Sequence, residues 1–442
     1  MTASVSTALL TDRYELTMLD AALHDGTASR RCVFDVFARR LPGGRRFGVV
    51  AGTGRLLGRH RHIRFGADQL RYRRDERVEV AQTLRFLEQY RFTGSIHGYR
   101  EGELYFPGSP LLTIEGTFAE AVILETLALS VLNYDSAVAA AAARMSIAAG
   151  DRPLAEMGSR RTGEWSAVAA ARAAFIAGFS ATSNLEAGRR WGIPTMGTAA
   201  HSWTLLHDTE ADAFAAQLRA LGDQTTLLID TYDIETGVAT AIEVAGSGLG
   251  GVRIDSGDLP VVAAQVRRQL DALGARDTRI TVTSDLDEFA IAALAASPVD
   301  AYGVGTALAT GSGSPTAGLV YKLVARQDAG GAWIPVAKTS TAKGSQGGRK
   351  TAFRVVENGV AREELIVVAE GFEQRESPAP HANARALQVP LVIHGDINDA
   401  AEGPGGVIAA REHHARARAE LPVTALALSR SEPAVETTYQ AG

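Results

Sequence analysis

Arg253-Ile254-Asp255-Ser256-Gly257-Asp258 follows a short apolar run and sets two carboxylates, a hydroxyl and a guanidinium side by side. Asp255 and Asp258 can hold a divalent cation or sugar hydroxyls, and Arg253, one strand period before Asp255, shares its face. The same residues can instead begin a helix, with Ser256 or Asp258 capping the turn near Leu259. His201, between Thr198 and Ser202, can be a nucleophile, a base or a satisfied structural histidine. Arg160 and Arg161, after Ser159, can grip a carboxylate or phosphate bidentately, or sit exposed on a loop. Ser284 and Asp285 end a further β-rich run. Gly303-Val304-Gly305-Thr306 and Gly311-Ser312-Gly313-Ser314 let backbone amides approach a phosphate. Acidic run ends beside glycine turns point to a phosphosugar with a bound cation.

These groups need elements to carry them. Residues 153–158, 193–198, 225–229, 251–254, 279–283 and 301–304 read as short strands, each ending in polar residues. Helices are expected over 166–179 and 210–221, and after the acidic ends up to Leu273 and Ala295. Strand, polar end and helix, repeated at roughly 20–45 residues, predicts a parallel α/β barrel or doubly wound sheet. In a barrel the carboxyl ends of the strands converge on one mouth, where substrates bind.

The flanking segments read differently. Residues 11–18 suggest a capped helix start, with Glu15 as capping-box partner of Thr11 or Asp12. A strand is expected over 31–40 and short antiparallel strands over 95–114. Residues 55–77 carry eight arginines with acids interspersed, the pattern of a solvated helical face, or else a polyanion patch. Residues 118–149 form an apolar, alanine-rich core helix. Residues 344–350 suggest a turn between strands or a basic loop reaching a phosphate, and 409–421 a surface helix.

The chain has 442 residues, so two domains are expected. Its 45 basic and 50 acidic side chains give a net charge of -5, which argues against nucleic acid as the main partner. The lone cysteine, Cys32, excludes an intramolecular disulfide framework and suits a reducing cytosol. No apolar run is expected to span a bilayer, which takes about 20 residues. Met1 to Arg13 lacks signal-peptide character, so a cytoplasmic protein without membrane partners is expected.

Several motifs together resemble the nicotinate phosphoribosyltransferase family. They are residues 12–18, Gly158-Ser159-Arg160-Arg161, Gly178 to Asn184, Gly197-Thr198-Ala199-Ala200-His201-Ser202, the Arg253 to Asp258 motif and Gly303-Val304-Gly305-Thr306. The resemblance covers roughly residues 10 to 350 in the family's order. It implies an irregular TIM-like α/β barrel over 126–330 and a second, smaller α+β domain built from residues 1–125 and 331–442. It also implies that nicotinate and phosphoribosyl pyrophosphate form nicotinate mononucleotide and pyrophosphate in NAD salvage. The reaction would be a ligase-type one coupled to ATP hydrolysis. On this resemblance His201 is phosphorylated by ATP, and Arg253, Asp255, Ser256 and Asp258 surround ribose, pyridine and Mg2+. Ser284, Asp285 and the amides of Gly303, Gly305 and Thr306 hold ribose and 5′-phosphate. Tyr14 stacks on the pyridine from a second subunit, which implies a homodimer. Nicotinate's carboxylate needs a cation, with Arg160, Arg161 and Arg253 as candidates.

Quinolinate and nicotinamide phosphoribosyltransferases remain as alternatives. Quinolinate needs more cations than these, and nicotinamide favours an acidic partner near the ring. A phosphosugar aldolase would need a lysine at a strand end, where none falls. A non-catalytic phosphosugar-binding barrel predicts binding without turnover.

Overall fold

A computed structural model describes residues 6–75, 81–338, 346–369 and 379–441. The chain forms two compact units, one of residues 141–313 and one of residues 1–140 with 314–442. These boundaries lie inside the expected 126 and 330.

The first unit is built on a six-stranded parallel sheet. Its strands are β1 (Leu154–Glu156), β2 (Ala181–Thr182), β3 (Thr226–Leu228), β4 (Gly251–Ile254), β5 (Arg279–Val282) and β6 (Ala301–Val304). They are ordered β2-β1-β6-β5-β4-β3, with every pairing parallel. The last strand therefore lies beside the first, with Gly303 opposite Ala155 and Val304 opposite Glu156. Val252, Ile254, Ile280, Val282 and Val304 are fully buried, as expected of strands covered on both faces. Because all six run the same way, their carboxyl ends lie along one edge.

One expected strand is absent. Residues 193–198 make only an isolated bridge, Thr182 with Thr195, and the strand at that place is Ala181–Thr182. The Pro194 carbonyl accepts from the Thr182 amide and the Met196 amide donates to the Thr182 carbonyl, each at 3.0 Å, but Pro194 has no amide of its own to extend the ladder.

Helix caps explain much of the polarity beyond the strands. Asp233 caps Ile234–Ala245, Asp258 caps Leu259–Ala272 and Asp287 caps Glu288–Ala293, each accepting backbone amides.

The second unit is α+β and uses both flanks of the chain. Its seven-stranded antiparallel sheet pairs Arg31–Ala38 with Leu319–Gln327 on one side and Leu112–Thr117 on the other. A four-stranded sheet holds Lys350–Glu357 and Val360–Val368. This unit was expected to be the smaller and is the larger, taking residues 1–140 and 314–442 against 141–313. Residues 118–149 are long and apolar enough to cross a bilayer, contrary to expectation, yet 67% of their apolar window is buried within the protein. Such burial is the behaviour of a core helix.

Two local expectations change. Glu15 makes no capping box with Asp12; it accepts from Thr11, and from the amide of Thr126 at 2.7 Å. Lys350 is the first residue of a strand and pairs with Asp35 at 2.8 Å while buried, so it is not a phosphate-reaching lysine. Residues 344 and 345 lie outside the described residues.

Candidate active site

The parallel edge gathers its polar tips through a few well-defined contacts. Asp230, two residues past β3, is buried and accepts from the Asp255 amide and the Ser256 hydroxyl, each at 2.7 Å. That carboxylate ties the tip of β3 to the tip of β4. Its other oxygen, Oδ1, is buried without a partner among the described residues. Asp255 in turn accepts from the Thr283 hydroxyl at the end of β5. Arg253, inside β4, donates to the Thr198 hydroxyl. Burial lowers the Arg253 pKa while Asp255 and Asp230 oppose that shift, and the charge of Arg160 reinforces it. Arg160 is thus near enough to repel Arg253.

His201 opens the short helix His201–Leu205. Its Nδ1 lies 3.2 Å from the Thr231 hydroxyl and its Nε2 lies 3.9 Å from Asp255 Oδ2. The imidazole and that carboxylate are 42% and 36% exposed, so both face solvent as well as each other. A hydroxyl on one ring nitrogen fixes the ring and leaves the other available for chemistry.

The Ser159-Arg160-Arg161 loop leaves β1 at Glu156. Glu156 is buried and accepts from the Gly158 amide and the Thr182 hydroxyl. Burial raises its pKa, and those two hydrogen bonds act in the opposite sense. Ser159 accepts from Asn184 at 3.0 Å, while Arg160 and Arg161 are exposed.

Ser284 and Asp285 follow β5 in the left-handed region, with φ of 89° and 35°. Such backbone is costly for residues with a Cβ and occurs at tight turns, ligand-handling ones among them. Gly303 is buried inside β6, where a Cβ would come within 2.6 Å of Thr283 and 2.7 Å of Met157. It keeps neighbouring chain close. Gly305 and Thr306 form the open strand-to-helix turn beyond it. Asp258 is exposed and serves as a helix cap, 3.5 Å from the Val261 amide, which is the alternative left open for it above.

His201, Arg253, Asp255 and Ser256 are therefore joined through Thr198, Asp230, Thr231 and Thr283. Thr198 belongs to the Gly197 to Ser202 motif, whereas Asp230, Thr231 and Thr283 were not among the expected site residues. Asp230-Thr231, next to a β-rich run, was the available signal for two of them. Tyr14 belongs to the other unit, on the helix Arg13–Asp25, and is 45% exposed. Burial and the nearby Glu125 carboxylate push its hydroxyl pKa up. Among the described residues no three His, Cys, Asp or Glu side chains form a metal-binding group.

Comparison with known proteins decides the family. The sequence model of the nicotinate phosphoribosyltransferase N-terminal domain matches residues 9–133. Nicotinate phosphoribosyltransferase pncB1 of Mycobacterium tuberculosis (strain ATCC 25618 / H37Rv) is 54% identical over 97% of this chain and 94% of its own. The chain belongs to the nicotinate phosphoribosyltransferase family. The nicotinate phosphoribosyltransferase of Bacillus subtilis is 36% identical over 79% of this chain and 74% of its own. Among solved structures, human nicotinic acid phosphoribosyltransferase shares the fold, with a TM-score of 0.81 over 97% of each chain at 24% identity. The motifs that carry the resemblance thus sit here across β2, at the tips of β1, β4 and β6, on the His201 segment and at the start of the helix Arg13–Asp25.

Proposed function

We propose that this protein transfers the phosphoribosyl group of phosphoribosyl pyrophosphate to nicotinate, yielding nicotinate mononucleotide and pyrophosphate in NAD salvage. The observation that carries this reading is the meeting of His201, Arg253 and Asp255 at one edge, in a chain 54% identical to a nicotinate phosphoribosyltransferase.

ATP hydrolysis is coupled through His201. With Nδ1–H donating to Thr231, Nε2 keeps its lone pair and attacks the γ-phosphorus of ATP. The nitrogen–phosphorus bond forms as the bond to the departing ADP oxygen breaks. In the transfer itself the anomeric carbon acquires oxocarbenium character, and Asp255 is the carboxylate whose negative charge stabilises that cation. Most of the remaining work is positioning, since little covalent chemistry is required of the side chains.

Arg160, Arg161 and Arg253 are the groups that can meet the nicotinate carboxylate. Ser284, Asp285, Gly305 and Thr306 hold ribose and the 5′-phosphate, with Gly303 serving by its lack of a side chain. Asp255 and Asp258 suit Mg2+ only in company with substrate phosphates and water, which is how this ion is commonly bound. When bound, Mg2+ neutralises charge on the pyrophosphate. The return of β6 to β1 supports an irregular TIM-like barrel, open between β2 and β3. Tyr14 serves the site of a second copy in a homodimer, and the enzyme works in the cytoplasm.

The test is incubation with γ-labelled ATP. Acid-labile label on the protein, lost in His201→Ala together with ATP-stimulated nicotinate turnover, is expected. Label retained in that variant, or turnover indifferent to ATP, sinks the coupling.

A further inference from the structure

We propose that Glu156 is a positioning residue that holds the Arg160-Arg161 loop in register with the mouth of the site, through Thr182 and Asn184. The inference rests on the reading of that loop as a partner of the nicotinate carboxylate.

The connections form a closed circuit. One carboxylate oxygen of Glu156 accepts from the Gly158 amide, the first residue of the loop, and the other accepts from the Thr182 hydroxyl on β2. The same Thr182 hydroxyl accepts from the Asn184 amide at 3.0 Å. Asn184 donates its side-chain nitrogen to Ser159 at 3.0 Å, which returns the circuit to the loop. Backbone bonds brace it from outside, since Ser183 donates to the Glu156 carbonyl and Met157 to the Val304 carbonyl, both at 2.8 Å.

The circuit has little slack. A Cβ at Gly158 would lie 2.9 Å from a Glu156 carboxylate oxygen, 3.0 Å from Ala309 and 3.1 Å from the Gly305 carbonyl. Glu156 is 1% exposed and has no cationic partner among the described residues; its carboxylate is spent on a neutral amide and a hydroxyl. A buried carboxylate used in this way is an uncommon choice for packing alone. It makes sense where two chain segments, the β1 loop and the β2 loop, must keep one spacing. Arg160 and Arg161 themselves are exposed and make no side-chain hydrogen bond or ion pair among the described residues, so their placement depends on the backbone beneath them.

Steady-state kinetics of Glu156→Ala, Glu156→Gln and Thr182→Val test this, alongside Arg160→Ala and Arg161→Ala. Glu156→Ala is expected to raise KM for nicotinate by about ten- to hundredfold, the scale of a 1 Å misplacement, with a smaller change in kcat. KM for phosphoribosyl pyrophosphate should move much less. Glu156→Gln keeps one acceptor for Gly158 and can donate to Thr182, so it should recover most of that loss. Thr182→Val, which preserves shape, should shift the nicotinate KM in the same direction as Glu156→Ala. A lowered Tm with an unchanged nicotinate KM in soluble Glu156→Ala or Thr182→Val would overturn the inference and leave Glu156 as packing. If the arginine variants alone raise that KM, the loop reading stands and the role of Glu156 falls. If neither arginine variant raises it, both fall together.

Discussion

Arg253 shows what a single side chain must reconcile at this edge. Its guanidinium is largely withdrawn from water, which disfavours the charge, while Asp230 and Asp255 restore it. Its Nε is buried without a partner among the described residues, so the fork retains unused donor capacity. Arg253→Ala is expected to lower kcat/KM by about ten- to hundredfold, the effect of losing roughly 1.4–3 kcal/mol of charge-assisted bonding. Arg253→Lys should restore little, because a point charge cannot reproduce a planar fork; equal recovery would remove Arg253 from the substrate contact. Asp255 carries a different demand, since its two oxygens face Thr283 and His201. Asp255→Asn keeps the shape and removes the charge, so kcat should fall by about a hundredfold or more while Tm moves by only a few degrees. A mainly thermal defect, read by calorimetry, would demote it to a structural residue.

Strands and helices divide the acidic residues between scaffold and site. The helix Leu259–Ala272 begins at Asp258, whose carboxylate takes the Val261 amide. Asp258→Ala should destabilise the protein by about 1 kcal/mol, the cost of losing a side-chain cap, and raise the Mg2+ concentration needed for half-maximal turnover. Asp258→Ser, which can still cap, should restore stability without restoring the Mg2+ requirement. An unaltered requirement in both variants would confine Asp258 to the cap. Gly303 makes the complementary point within β6. Gly303→Ala places a methyl against Thr283 and Met157 and should cost about 1–3 kcal/mol by overpacking, measured as a fall in denaturation midpoint. An alanine accommodated at no cost would mean that the strands do not depend on that close approach.

The molecule as a whole has a pH response set in its α+β unit. Burial raises the Glu15 carboxyl from 4.5 to about 7, against the opposing hydrogen bonds from Thr11 and Thr126. Between those values the folded chain holds a proton that the unfolded chain has released. The group's contribution to stability is therefore full below about pH 4.5 and declines as pH rises to about 7. Glu103 acts in the opposite sense. His413, Arg354 and Arg385 hold it well below the usual carboxylate range despite its burial, so its contribution is lost in acid. Thermal unfolding of Glu15→Gln across pH 5 to 7 should show a flatter fall in Tm with rising pH than the parent chain, while the acid limb below that window persists. Parallel Tm curves over this window would exclude Glu15 as the titrating group.

How much of this was written in local sequence varies from residue to residue. Arg253 to Asp258, the His201 segment and five of six parallel strands announced themselves, because burial on both faces demands apolar runs and chain departure into solvent demands polar ends. The stretch at 193–198 misled because Pro194 is silent in a composition-based reading and decisive in a hydrogen-bond ladder. Asp258 and Asp255 could not be told apart in advance, since a cap and a site carboxylate have the same chemistry and differ only in which amide or hydroxyl comes near. Glu156, Thr182 and Asp230 were the hardest to read. They act through partners 25 or more residues away, whose proximity is a property of strand order. Periodicity and punctuation by themselves determined the strand–helix alternation and the chemical class of its tips. Only the tertiary structure decided which tips share a hydrogen bond, because parallel pairing joins residues that the chain keeps far apart.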